Sequence, residues 1–218
     1  MTLECPRCGQ EARPPGLWSD TFTCQVHGSV APLHPAVTVS DEAVRQVGRW
    51  AQVPLWLPWP LPMGWLASGV RYAGDEHSGP VAAVLAFSGP NPLPDGHGED
   101  LSADLLLVAE QPGVGLGAHL AGLDDIDPGG AGVGIGAPNL KVAAGGHDTP
   151  LWSIPVDGGM AAYVGEASGV WLWAMVWPET ATAVLLEQFE LRDLRDLGFL
   201  LELPCGALSP RLTRVVEL

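Results

Sequence analysis

Basic side chains are scarce in this sequence. Ten Lys and Arg stand against 25 Asp and Glu in 218 residues, and the net charge is −15 at pH 7. The deficit is uneven: residues 51–178 hold two basic and thirteen acidic residues. Binding a phosphate backbone needs a basic footprint. The first fifty residues offer only Arg7, Arg13, Arg45 and Arg49 for one. Nucleic acid is therefore not the expected partner, and the acidity reads as solubility. Also missing is any apolar run that could span a bilayer as a helix. The charge-free stretch Ala51–Val70 is long enough, but Pro54, Pro58, Pro60 and Pro62 break it. No charged segment followed by an apolar one opens the chain, so no signal peptide is expected and the expected location is cytoplasmic. Sustained helical periodicity is absent from the second half, which argues against a doubly wound parallel sheet. Cysteine is sparse too, at four residues, but three of the four are grouped.

The grouping is Cys5-Pro6-Arg7-Cys8-Gly9, then Cys24-Gln25-Val26-His27-Gly28. Three thiols and one imidazole arrive as two turns, each with two residues between its ligands. That spacing suits a tetrahedral zinc ion and makes poor disulfide geometry. Gly9 and Gly28 each follow the second ligand of a turn, where a positive φ is often required. His34 is the alternative fourth ligand, but it lies in the extended Pro32-Leu33-His34-Pro35 and lacks the spacing. The expected cofactor is thus structural Zn2+ on Cys5, Cys8, Cys24 and His27, with no open position for a substrate. No thioredoxin-like pattern surrounds the C-x-x-C pair, which argues against a redox role. A head of about 35 residues cannot bury enough core to fold without its metal.

The expected fold class is α+β: an N-terminal zinc ribbon (1–36), a connecting helix (37–52), and a mainly antiparallel, Trp-rich β domain (53–218) with few short helices. In the head, Leu17–Thr23 alternates and reads as a strand. Ser40 can cap a helix running to Ala51, with Val44, Val47 and Ala51 on one face. The Pro-rich segment Val53–Trp65 reads as an extended strap packed over a sheet. Strands are expected at Leu66–Ala73, Pro80–Ser88, Asp104–Ala109, Leu140–Ala144, Leu151–Ile154, Met160–Glu166, Gly169–Trp177 and Ala183–Phe189. The seventh is apolar on both faces, so it should be central and covered twice. Leu191–Gly198 has apolar residues at i, i+3 and i+6 and reads as a short helix.

Other chemistry is thinly represented. Gly113-Val114-Gly115-Leu116-Gly117-Ala118 fits a dinucleotide-type G-x-G-x-x-A after an apolar strand. The acids Asp124, Asp125 and Asp127 come too early for that use, and Gly132–Ala137 nearly repeats the string, so surface loops are the plainer reading. His77, His97 and His147 each lie beside acids in turn-like sequence, and His119 follows the glycine string. Cys205 is a candidate nucleophile with Ser209 and Arg211 close in sequence, and as an odd thiol it suits a reducing compartment.

Taken together, five strings carry a family resemblance: the two Cys/His turns, Pro58–Trp65, Gly113–Gly117, Trp171–Pro178 and Leu203–Arg211. The chain resembles uncharacterised actinobacterial proteins of unknown function with an N-terminal zinc ribbon. The resemblance implies an actinobacterial source, which fits nine Arg against one Lys, and no known activity. Such proteins sometimes carry an automatic phosphotransacetylase label, which no site in this sequence supports. The expected role is a non-catalytic structural or interaction module, binding a protein partner or small ligand. One alternative is an enzyme acting on an acyl, phosphoryl or nucleotide substrate through Gly113–Gly117 and Cys205; another is a transcription-associated ribbon. The enzyme reading requires Cys205, a histidine and the glycine loop to converge.

Overall fold

The computed structural model describes residues 2–17, 19–94, 101–123, 128, 134, 136–196 and 203–212. In the head, β1 (Thr23–Cys24) and β2 (Gly28–Ser29) form a short hairpin around the second Cys/His turn. Helix α1 (Asp41–Trp50) starts where Ser40 accepts a hydrogen bond from the Ala43 amide, the expected cap. Its buried face carries Val47, and Ala51 follows at its end. The chain then enters one nine-stranded sheet. Its members are β3 (Trp56–Trp59), β4 (Leu66–Asp75), β5 (Gly79–Pro90), β6 (Ser102–Glu110), β7 (Leu140–Ala144), β8 (His147–Ile154), β9 (Ala161–Ala167), β10 (Val170–Trp177) and β11 (Glu190–Asp193). A short helix, α2 (Leu116–Leu120), follows β6. The spatial order is β3-β11-β7-β8-β9-β10-β6-β5-β4. Neighbours are antiparallel except β11 and β7. A mostly β architecture with few helices fits the α+β expectation.

The sheet is buried on both faces at its centre. In β10, Val170, Leu172, Ala174 and Val176 enter one core, while Trp173, Met175 and Trp177 enter another. The two sets are those expected from the unbroken apolar sequence. β5 and β6 divide likewise: Leu85, Phe87, Leu105 and Leu107 on the first side, Val84, Ala86, Leu106 and Val108 on the second. The first core is closed by Leu55, Trp56 and Leu57 around β3, with Val47 of α1. The second is covered by α2, by Leu212 near the C-terminus, and by Leu33, the exit of the head. Leu33 bridges Glu4 on one side and Ala73 of β4 on the other, and Val37 bridges Val70. The outer edge of β4 is thereby paired by chain from the head.

Four sequence expectations change. Ala183–Phe189 is not a strand: Glu179–Leu186 forms a 3-10 helix that buries Ala181, Val184 and Leu185. Those positions share one helical face, so the apolar run is buried as a helix. Leu191–Gly198 does not open a helix: Glu190–Asp193 is β11, and Leu191 is buried between β3 and β7. The Pro-rich strap supplies the edge strand β3, where Pro58 costs no ladder bond if its missing N–H faces outward. In the head only Thr23 of the expected Leu17–Thr23 strand joins a strand, as the first residue of β1, because Gly16 and Ser19 close a tight turn; Trp18 lies outside the described residues. Among the described residues no helix is long and apolar enough to cross a membrane.

Candidate metal centre

Short backbone bonds set the first turn. The Cys5 amide donates to Gln10, the Gly9 amide donates to Cys5, and Gly9 takes φ +70°. The second turn is the loop of the β1–β2 hairpin, with Gly28 at φ +69°. Both glycines therefore have the left-handed backbone their positions suggested. The bridges of Arg13 to Thr23 and of Glu4 to Leu33 bring the two turns together. One ligand atom from each of Cys5, Cys8, Cys24 and His27 lies within 4.8 Å of all the others. Cys8 and Cys24 sulfurs are 3.7 Å apart, and His27 Nδ1 is 3.5 Å from Cys5 Sγ and 3.7 Å from Cys24 Sγ. Bond lengths of about 2.3 Å to sulfur and 2.0 Å to nitrogen put the edges of a zinc tetrahedron at about 3.5–3.8 Å. The group could thus hold a metal ion, with His27 ligating through Nδ1.

The thiols differ electrostatically. Burial pushes the Cys5 thiol up to about 12. Burial also opposes ionisation of Cys24, but the backbone amides of His27 and Val26 and the His27 side chain bring it down to about 6. Three sulfurs so close cannot all be anions without a cation among them, and a metal that binds here displaces their protons.

The glycine loop is already filled. Glu110, the last residue of β6, is buried and turns its carboxylate into the loop. Leu116 N–H donates to Oε2 and Trp173 Nε1–H to Oε1, each at 2.7 Å. The Gly115 and Gly117 amides also face this carboxylate; burial nonetheless dominates and lifts its pKa to about 7. The amides of Gly115, Leu116 and Gly117, donors that a phosphate would need, are thus turned onto the chain's own acid. Gly117 is glycine for packing: a Cβ there would lie 2.3 Å from the Trp173 indole nitrogen. Of the Gly132–Ala137 string, residues 132, 133 and 135 lie outside the described residues, as do Asp124, Asp125 and Asp127.

Of the other candidates only His119, on α2, adjoins that loop, and Cys205 does not reach it. Cys205 is exposed, donates to the Leu203 carbonyl, and sits on a parallel bridge to Ala67. Ala67 pairs with Phe87 and Phe87 with Leu105, five strand residues short of Glu110. That is about 17 Å along the sheet. Ser209 and Arg211 bond Asp104, a carboxylate that also accepts from Ser88, and so fasten the C-terminal segment. His77 is exposed in the β4–β5 turn, His147 is exposed at the start of β8, and His97 lies outside the described residues. His119 is buried on α2. His34 is not among the ligands: it stacks on Tyr72 and bonds the Gly74 carbonyl.

Two important residues escaped the motif reading. Arg71 is a buried cation that joins three segments: Glu4 of the head, the His34 carbonyl and the Leu212 carbonyl. Its signal was a lone charge inside β4, between Val70 and Tyr72. Glu110 gave a similar signal, an acid ending the apolar run Leu105–Ala109.

No curated protein and no solved structure matches the chain. A family model does, over residues 1–212, covering both Cys/His turns, the whole sheet and the C-terminal segment: the chain belongs to a family of unknown function (DUF6758).

Proposed function

We propose that this chain is a zinc protein in which one Zn2+, held by Cys5, Cys8, Cys24 and His27, braces a β-sheet scaffold and does not turn over a substrate. The supporting observation is the quartet itself, four ligand atoms within 4.8 Å at tetrahedral separations. Thiolate-rich sites with one imidazole select zinc over hard cations. Four protein ligands complete the sphere and leave no vertex for chemistry. On this reading residues 1–36 are a zinc ribbon, 37–52 a connecting helix and 53–218 the Trp-rich sheet to which the ribbon is fastened. A reducing, cytoplasmic setting would keep the thiols available.

Metal analysis of protein purified without chelator should find about one zinc per chain. Replacement by Co2+ should give the intense visible bands of a tetrahedral thiolate site, lost in Cys8→Ser. A preparation that carries no zinc and takes up neither ion would end the proposal.

A further inference from the structure

We propose that the segment Gly113–His119 is the seat of the Cys5–Gly9 turn, and that Arg7, midway between two ligands, is a positioning residue for the metal. The proposal rests on the zinc reading above and names what in the rest of the fold controls that site.

Two residues of the turn that are not ligands are gripped by this one segment, although it lies 106 residues away at the Arg7–Gly113 contact. Arg7 Nη2 donates to the Gly113 carbonyl. The aliphatic stem of Arg7 lies over Gly115, where a Cβ would come within 2.8 Å of Cγ. Gly9 faces the buried His119 ring: a Cβ on Gly9 would meet Cε1 and Nε2 at 3.4 Å. Glycine is thus favoured on both sides of the joint, at Gly115 by the close approach of Arg7 and at Gly9 by its φ of +70°. Gly115 also has φ +85°, a backbone that other residues rarely take.

The seat is itself anchored. Glu110 accepts from the Leu116 amide and the Trp173 indole, and Gly117 lies against that indole. Leu116, Ala118 and Leu120 are buried in the second core. The sequence motif that suggests a nucleotide loop therefore serves as a mould for the metal turn. Binding and ordering are reciprocal. If the seat holds Cys5 and Cys8 in ligand geometry, the metal must hold the seat by the same free energy. Groups outside the ligand set that orient a metal site commonly change affinity ten- to a hundredfold when removed.

The test uses the full chain. Hydrogen exchange is followed in zinc-loaded and chelator-stripped wild type. Zinc should slow the amides of Leu116–Leu120, leaving the β7–β8 hairpin, which bears no such contact, as the internal reference. Zinc affinity is then measured by competition with a chromophoric chelator. Arg7→Ala should bind about tenfold more weakly with an unchanged Co2+ spectrum, and Arg13→Ala, an exposed arginine of the same head, should bind as wild type. Equal exchange of Leu116–Leu120 in the two states, or wild-type affinity in Arg7→Ala, overturns the seat while the zinc site stands. Failure of wild type to bind zinc overturns the metal reading instead.

Discussion

Glu110 ends an apolar strand with a carboxyl group that water does not reach. Its environment holds two opposed influences. Amides and an indole stabilise the anion, while burial favours the neutral acid and prevails, lifting the pKa from 4.5 to about 7. The folded chain therefore holds this proton more tightly than the unfolded chain does. Stability from this group is fully present below about pH 4.5, falls as pH rises to about 7, and is level beyond. The fall is on the order of 3 kcal/mol. In denaturant titrations at pH 5 and pH 8 with zinc saturating, wild type should lose more stability over this interval than Glu110→Gln, whose side chain cannot titrate. Equal losses in the two proteins would show that Glu110 ionises as an ordinary carboxylate. Asp75 does not confuse the comparison: the amides and hydroxyl of its turn lower its pKa, so its contribution fades only in more acidic solution.

At the scale of elements, β8 divides its pairing between two neighbours. Residues of β8 up to Leu151 pair with β7, and Trp152–Ile154 pair with β9. Gly165 of β9 lies at this junction, and a Cβ there would lie 2.2 Å from the Pro150 carbonyl oxygen. The obstruction is backbone, so it cannot rotate away. Gly165→Ala should destabilise by about 1–3 kcal/mol, the range for overpacking. Gly16→Ala, where nothing lies within 4 Å, should change little. Denaturant midpoints compare the two, and a neutral Gly165→Ala would mean the Pro150 backbone does not press on Gly165. Local pattern sufficed for what is locally determined: α1 with its Ser40 cap, the two faces of β10, and the Cys/His turns with their glycines. It failed where partners are remote. β3 and β11 are four residues each, too short to show a period, and they exist because they pair with each other across more than a hundred residues. The occupant of the glycine loop was equally hidden, since a G-x-G-x-x-A string reads the same whether its amides face a phosphate or Glu110.

Across the whole molecule, the head acts as a cover of the sheet and not as an appendage. Leu33 is fully buried against β4, β5 and β6 residues in the second core. Arg71, inside the sheet, is satisfied by Glu4 and the His34 carbonyl, both supplied by the head or its exit. Loss of the head's structure would therefore uncover apolar surface and strand a buried cation, each a large cost. On the zinc reading, a head this small would owe its structure to its metal, at on the order of 10 kcal/mol. Stripping zinc should then do more than loosen thirty-odd residues. The thermal midpoint should fall, and a hydrophobic dye such as ANS should bind the apo chain, while the far-ultraviolet strand signal is largely kept because the ladder from β4 to β10 needs no residue of the head. Leu33→Ala, zinc-loaded, should reproduce part of the fall, about 2–5 kcal/mol for a buried leucine. An apo chain that melts with the holo midpoint and binds no dye would separate metal from fold. It would leave the head as a passenger on a sheet that covers its own outer face.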